Sequence, residues 1–226
     1  MNPERYPRLE DVVRDDLFPD IDIDMRQGRH IDIDDGPRFD FIRDARHHLA
    51  TFYDRLGYDL MDDAGSSFYY LVPRADRLGR RRLSIADMLV GQVGALLYLD
   101  PATVQTGGFV ARSQILELLA SLVGEDRLIQ ALLPRRKKID ERVAQEQIRK
   151  EIDRAIRTLA ALGFLATDVD GVRLKRPILR FAEPVQGTSD PAAVLAKLVA
   201  RGKFALESAS DEGDGDADEL DAGDPR

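Results

Sequence analysis

Residues 148–175 read Ile148-Arg149-Lys150-Glu151-Ile152-Asp153-Arg154-Ala155-Ile156-Arg157-Thr158-Leu159-Ala160-Ala161-Leu162-Gly163-Phe164-Leu165-Ala166-Thr167-Asp168-Val169-Asp170-Gly171-Val172-Arg173-Leu174-Lys175. Ile148, Ile152, Ala155, Ile156, Leu159 and Leu162 share one arc of a 3.6-residue wheel, which predicts an amphipathic helix entered from about residue 139. Gly163 suits the left-handed residue that closes such a helix. Residues 164–167 and 172–175 flank Asp170-Gly171, a two-residue hairpin signal of the type I′ class.

Helix, glycine stop, strand, turn, strand is the linear pattern of a winged helix, with the long helix in the position that meets DNA in DNA-binding folds of this kind. The pattern occurs twice. Phe39, Ile42, Leu49, Phe52, Tyr53 and Leu56 give an earlier helix one apolar face. Gly57 stops it, and strands at 58–61 and 68–72 flank a turn at 63–66. Leu56-Gly57-Tyr58 recurs as Leu162-Gly163-Phe164, and Gly65 and Gly171 each follow their helix-stop glycine by eight residues. The expected fold is α+β and mainly helical, two tandem winged-helix domains with small antiparallel wings. The division is a first domain at 1–73, a basic connector at 74–83 and a second domain at 84–181. An extension with a docking helix follows at 182–206, then a disordered acidic tail at 207–226.

Between these landmarks the reading is plainer. Residues 8–27 look irregularly helical, with Leu17, Ile21 and Met25 as a stripe and Pro19 near a helix start. Residues 30–33 alternate like a short strand until Asp35-Gly36-Pro37 breaks them. Ser84, with Asp87 three residues on, caps a helix carrying Ile85, Met88, Leu89, Val93, Leu96 and Leu97, which Asp100-Pro101 closes. Phe109-Val110 is a short strand, and residues 112–122 and 125–133 are helices. Residues 176–181 read as extended. Asp190-Pro191 opens a last helix with Val194, Leu195, Leu198 and Val199.

Composition narrows the function. The 226 residues are 43% hydrophobic and 33% charged, with no cysteine, so disulfides and thiolate metal sites are excluded. No apolar run reaches the roughly 18 residues of a membrane span, and residues 1–17 are too polar for a signal peptide. A cytoplasmic protein is expected. The net charge of −8 is uneven: residues 207–226 hold nine acidic residues and one basic, a net of −8, so the remainder is neutral. That tail cannot bury enough surface to offset its ordering entropy. Its role is solvation or, alternatively, mimicry of nucleic acid against a basic surface.

No phosphate-cradling loop, nucleophile elbow or metal-binding histidine pair is present, which points away from an enzyme and from any cofactor. His47 and His48 are adjacent on a helix and diverge by about 100°. Asp20, Asp22, Asp24, Asp32, Asp34 and Asp35 are the one enzyme-like cluster, the basis for a metal-dependent phosphoryl enzyme as an alternative. They read better as a solvated acidic face. The basic features suggest backbone contact with DNA: Lys150, Arg154 and Arg157 lie opposite the apolar arc of the long helix, and Arg135, Arg136, Lys137 and Lys138 precede it.

The chain resembles the MukE family, small subunits that bind the kleisin of bacterial condensin-like SMC complexes of the MukBEF, Mks and Wadjet types. Leu17-Phe18-Pro19 followed by Gly28-Arg29-His30-Ile31 carries the resemblance most specifically. Phe52-Tyr53, Phe68-Tyr69-Tyr70-Leu71-Val72-Pro73-Arg74, Leu96-Leu97-Tyr98-Leu99-Asp100-Pro101, Leu162-Gly163, Arg180-Phe181 and Asp190-Pro191 support it. The resemblance implies a non-catalytic, dimeric, nucleoid-associated protein with a MukF-like kleisin, a MukB-like SMC ATPase and sequence-independent double-stranded DNA as partners. Ala160 and Ala161 stand where the family pattern allows arginine, so no DNA contact is carried over there. Tyr69 and Leu71 on the first wing, with Leu195 and Leu198 of the last helix, are the expected exposed apolar anchors for the kleisin. A winged-helix transcription regulator, or a subunit of a plasmid-defence SMC system, is the alternative reading.

Overall fold

The computed structural model describes residues 5–63, 65–74, 82–133 and 141–182. The predicted last helix, most of the basic connector, the Arg135–Lys138 cluster and the acidic tail lie outside the described residues.

The first region begins with α1 (Leu9–Val13) and α2 (Phe18–Arg26). Where the sequence suggested one irregular helix there are two, because Asp15 Oδ1 accepts the Leu17 N–H at 2.9 Å and turns the chain between them. Strand β1 (Ile31–Asp32) is shorter than expected. Asp32 captures the Asp34 N–H and Asp35 captures the Asp32 N–H, which winds residues 33–35 into a 3₁₀ turn. Helix α3 (Pro37–Arg55) then leads through Gly57, at φ +86°, into β2 (Tyr58–Asp62) and β3 (Phe68–Pro73). The three strands form an antiparallel sheet in the order β1-β3-β2. Val12, Ile21, Met25, Ile31, Phe41, Ile42, Leu49 and Tyr53 are buried in one apolar cluster between helices and sheet.

The second region repeats that order with more helix. Ser84 caps α4 (Ile85–Leu99) through a reciprocal pair with Asp87. Asp100-Pro101 closes α4 and also opens a short helix, α5 (Pro101–Gln105), since Asp100 Oδ1 accepts the Ala102 N–H at 3.0 Å. Strand β4 (Phe109–Ala111) precedes α6 (Arg112–Val123), α7 (Glu125–Leu132) and α8 (Glu141–Ala161). Strands β5 (Leu165–Thr167) and β6 (Gly171–Leu174) complete a sheet in the order β4-β6-β5. The predicted arc of α8 is buried throughout, against Leu89, Val93, Ile115, Leu119 and Leu128. The architecture is α+β, mostly helical, with two small antiparallel sheets.

Two local expectations change. Asp170-Gly171 is not a two-residue turn: the loop spans residues 168–170, closed by Asp168 N–H to Gly171 O at 3.0 Å, and Gly171 is the first residue of β6. Its glycine is needed for close approach, since a Cβ there would lie 2.4 Å from Val110 O on β4. Residues 176–181 are a 3₁₀ turn (Arg176–Phe181), not extended. Pro177 starts it, and it sets Phe181 against Gly91 of α4, where a Cβ would collide with the ring at 2.6 Å, and Ile178 against Gly94, where a Cβ would be tight at 3.2 Å.

Candidate functional site

The two regions meet along a seam between the chain leaving α2 and the chain leaving α8. Gly28, at φ +89°, turns the backbone so that His30 enters the other region. The His30 N–H donates to Leu162 O at 2.9 Å, and its ring Nδ1 lies 3.1 Å from the same oxygen. Its Nε2 lies 2.6 Å from Nη1 of Arg180. A carbonyl only accepts and a guanidinium only donates, so the ring is neutral with its proton on Nδ1. It packs on Phe164 and Tyr70 at 4.3 and 5.1 Å between ring centroids, and Arg180 Cζ sits 4.0 Å from the centre of Tyr70. Burial first, and the Arg180 charge second, push the His30 pKa down to about 3 against the pull of the Leu162 carbonyl. Both ring nitrogens are committed, so His30 is a structural group and not a base.

Gly163 makes this approach possible. At φ +78° it closes α8 as expected, but a Cβ there would stand 2.2 Å from His30 O. Nearby, Lys175 Nζ reaches back across the seam to Asp32 Oδ1 at 2.9 Å and Asp35 Oδ1 at 3.1 Å. Burial raises the Asp32 pKa to about 6 despite the ammonium. Burial also works against Asp35, but the Asp32 N–H and Lys175 outweigh it and hold that carboxyl low. Arg176 adds an ion pair to Asp63 at 3.3 Å.

An open groove of about 720 Å³ runs along this seam, walled by Tyr58, Val72, Pro73, Leu83 and Phe164, with Arg180 at its polar side. A smaller hollow of about 280 Å³ carries Ile33 and Val104, which are 61% and 67% exposed. Half-buried apolar walls with a cationic edge suit capture of a peptide segment.

The expected site residues fall differently. Tyr69 and Leu71 are not exposed anchors: they are 1% and 8% exposed, with Tyr69 stacked 5.3 Å from Phe39. The strand alternation turns both toward α3 because that face of the sheet is the core face. Val72, on the opposite face, lines the groove, and Leu71 reaches its edge as well. Leu195 and Leu198 lie outside the described residues, as do Arg135, Arg136, Lys137 and Lys138. Four of the six early aspartates, Asp22, Asp24, Asp32 and Asp35, face cations. Asp22 meets Arg26 at 2.9 Å, Asp24 meets Arg38 at 2.6 Å and Asp32 meets Lys175, and no metal-holding cluster occurs among the described residues. His48 donates Nε2–H to Tyr6 O at 2.8 Å.

Lys150, Arg154 and Arg157 are all on the exposed face of α8, as the wheel predicts, and Arg142 and Arg149 join them. Lys150 is held by Glu146 at 2.7 Å, and Asp153 is drawn aside by Arg112 at 3.6 Å. The sequence signal for His30, Arg180 and Lys175 was weak, because their partners are 132 to 150 residues away.

Comparison with known proteins gives a consistent match. The family model described as the MukE-like family covers residues 6–225. The chain is 32% identical over 218 residues to the chromosome partition protein MukE of Yersinia pseudotuberculosis serotype I, covering 93% of this chain and 92% of that one. It is 31% identical over 199 residues to that of Photorhabdus laumondii, covering 87% and 85%, and 30% identical over 199 residues to that of Escherichia coli O157:H7, covering 87% and 88%.

Proposed function

The chain belongs to the MukE-like family, and on that premise we propose that it is a chromosome partition protein, a non-catalytic subunit of a bacterial SMC–kleisin complex. The observation that carries this is the family match over residues 6–225, with relatives named chromosome partition protein MukE aligned over most of both chains. The repeated sequence of long helix, left-handed glycine and antiparallel hairpin supports two tandem winged-helix domains, divided near residues 74–83. In this reading the chain dimerises, recruits a kleisin and an SMC ATPase, and works in the cytoplasm on the nucleoid.

The kleisin segment lies in the groove between the two regions, its apolar side chains against Tyr58, Val72, Leu83 and Phe164. Tyr69 gives up its expected role to its core partners, while Leu71, though packed in the core, also lines this groove. The cationic face of α8 contacts the DNA backbone without reading sequence. Arg135–Lys138 extend that basic surface, and Leu195 and Leu198 remain partner contacts in the same proposal.

Affinity purification of the full chain from its own host tests both parts. A kleisin and a long coiled-coil ATPase are expected to copurify. Val72→Asp is expected to lose them while the chain keeps its unfolding midpoint. Recovery of neither protein with the unmodified chain overturns the assignment, and unchanged recovery with Val72→Asp overturns the groove as the seat.

A further inference from the structure

We propose that the acidic segment at residues 207–226 lies on the exposed face of α8 of its own chain and shields that face from other polyanions. The argument starts from how charges are distributed. In the first region most arginines have carboxylates to hand, among them Arg26 with Asp22, Arg38 with Asp24, Arg43 with Asp40, Arg46 with Asp62 and Arg74 with Asp54 and Asp59. Helix α8 sets three arginines without such a partner on one face, Arg149, Arg154 and Arg157. Its described charged side chains are five cations, Arg142, Arg149, Lys150, Arg154 and Arg157, against three anions, Glu146, Glu151 and Asp153. Glu146 is taken by Lys150 and Asp153 by Arg112, and no described carboxylate lies within ion-pair distance of Arg149, Arg154 or Arg157.

The occupant follows from charge and tether. Residues 207–226 carry nine acidic residues and one basic, the one strong concentration of negative charge in a chain otherwise neutral. From Ala182, the last described residue, 25 residues lead to Glu207. Fully extended they span up to about 80 Å, more than twice the roughly 32 Å length of a 21-residue helix. Tethering makes the encounter intramolecular, with an effective concentration on the order of millimolar. The tail has almost no apolar side chains to dock, so the attraction is electrostatic and fades as the Debye length shrinks from about 10 Å at 0.1 M salt to about 3 Å at 1 M. The contact stands on these observations alone; its role as a brake on DNA binding rests on the reading of α8 given above.

The absence of cysteine allows a direct test on the full chain. Gln145→Cys, on the exposed side of α8, and Ser210→Cys receive spin labels, and the distance between them is measured by electron–electron double resonance. A short-distance population is expected at 50 mM salt. It should vanish at 1 M salt and in Arg149→Glu/Arg154→Glu/Arg157→Glu. A distribution unchanged by both overturns the proposal. A short distance found only between chains labelled at single sites makes the occupant a second copy and overturns the intramolecular contact.

The brake is read separately. Replacing the nine tail carboxylates by amides is expected to tighten binding of short duplex DNA about tenfold, within the usual range of coupling between competing ligands. Equal affinity overturns the brake. If the spin-label distances respond as stated but neither chain binds DNA, the contact stands and the DNA reading falls.

Discussion

The closing glycines of α3 and α8 sit at the same place in two versions of one pattern, at φ +86° for Gly57 and +78° for Gly163. Both end a long helix and deliver the chain to an antiparallel hairpin. Gly163 has the backbone of the other region pressed against it, with His30 O where a Cβ would be. Local helix-ending geometry and long-range packing thus impose the same residue for different reasons. The same contrast runs through the charges. In the first region most pairs are surface contacts, such as Arg74 with Asp54 and Asp59. At the seam Lys175 is nearly buried, between two carboxylates.

Gly163→Ala should separate the two glycines most sharply. It adds a backbone collision to the left-handed strain, so we expect a loss of more than about 3 kcal/mol, or failure to fold. Gly57→Ala should cost about 1–2 kcal/mol, the strain alone. Urea unfolding of both variants checks this, and equal losses would erase the distinction.

Lys175→Met strands the buried Asp32 without a cation and leaves Asp35 only the longer pair with Arg29 at 3.8 Å, and should cost about 3–5 kcal/mol. Arg74→Ala, at an exposed pair, should cost less than about 1 kcal/mol. Similar midpoints for the two would mean that solvent reaches the seam.

A further expected effect is a pH dependence. His30 is neutral in the folded chain down to about pH 3, while in the unfolded chain it takes up a proton below its ordinary value of 6.5. The unfolded state therefore binds more protons in that window, and stability falls as the pH drops from about 6.5, by up to about 1.4 kcal/mol per unit. His30→Asn should flatten this slope in unfolding curves taken between pH 4.5 and 7. An unchanged slope would place the acid sensitivity elsewhere.

The seam shows why the histidine was legible only as a motif. Gly28-Arg29-His30-Ile31 stands out in the sequence, but nothing near it indicates why a histidine is needed. Its hydrogen-bond partners are Leu162 and Arg180, and its stacking partners Tyr70 and Phe164 come from two different hairpins. Tyr69 and Leu71 were misread for a related reason. An aromatic-rich strand has two faces of similar apolarity, and only the position of α3 decides which is core. The stripe on α8 was legible because a helical wheel is a local property; the further exposure of Arg142 and Arg149 required seeing how wide the buried arc is.

By itself the sequence determined the elements and their repetition: apolar periods of 3.6 and 2, capping residues and closing glycines all act within a few residues of chain. It also determined that charge is segregated, with the acid at one end. The tertiary structure decided which strand face is buried, what Gly163, Gly171 and His30 are for, and where a groove opens between the two regions. Those outcomes depend on groups far apart in the chain, from Tyr69 on Phe39 to His30 on Leu162, coming into contact, and no local propensity encodes that encounter.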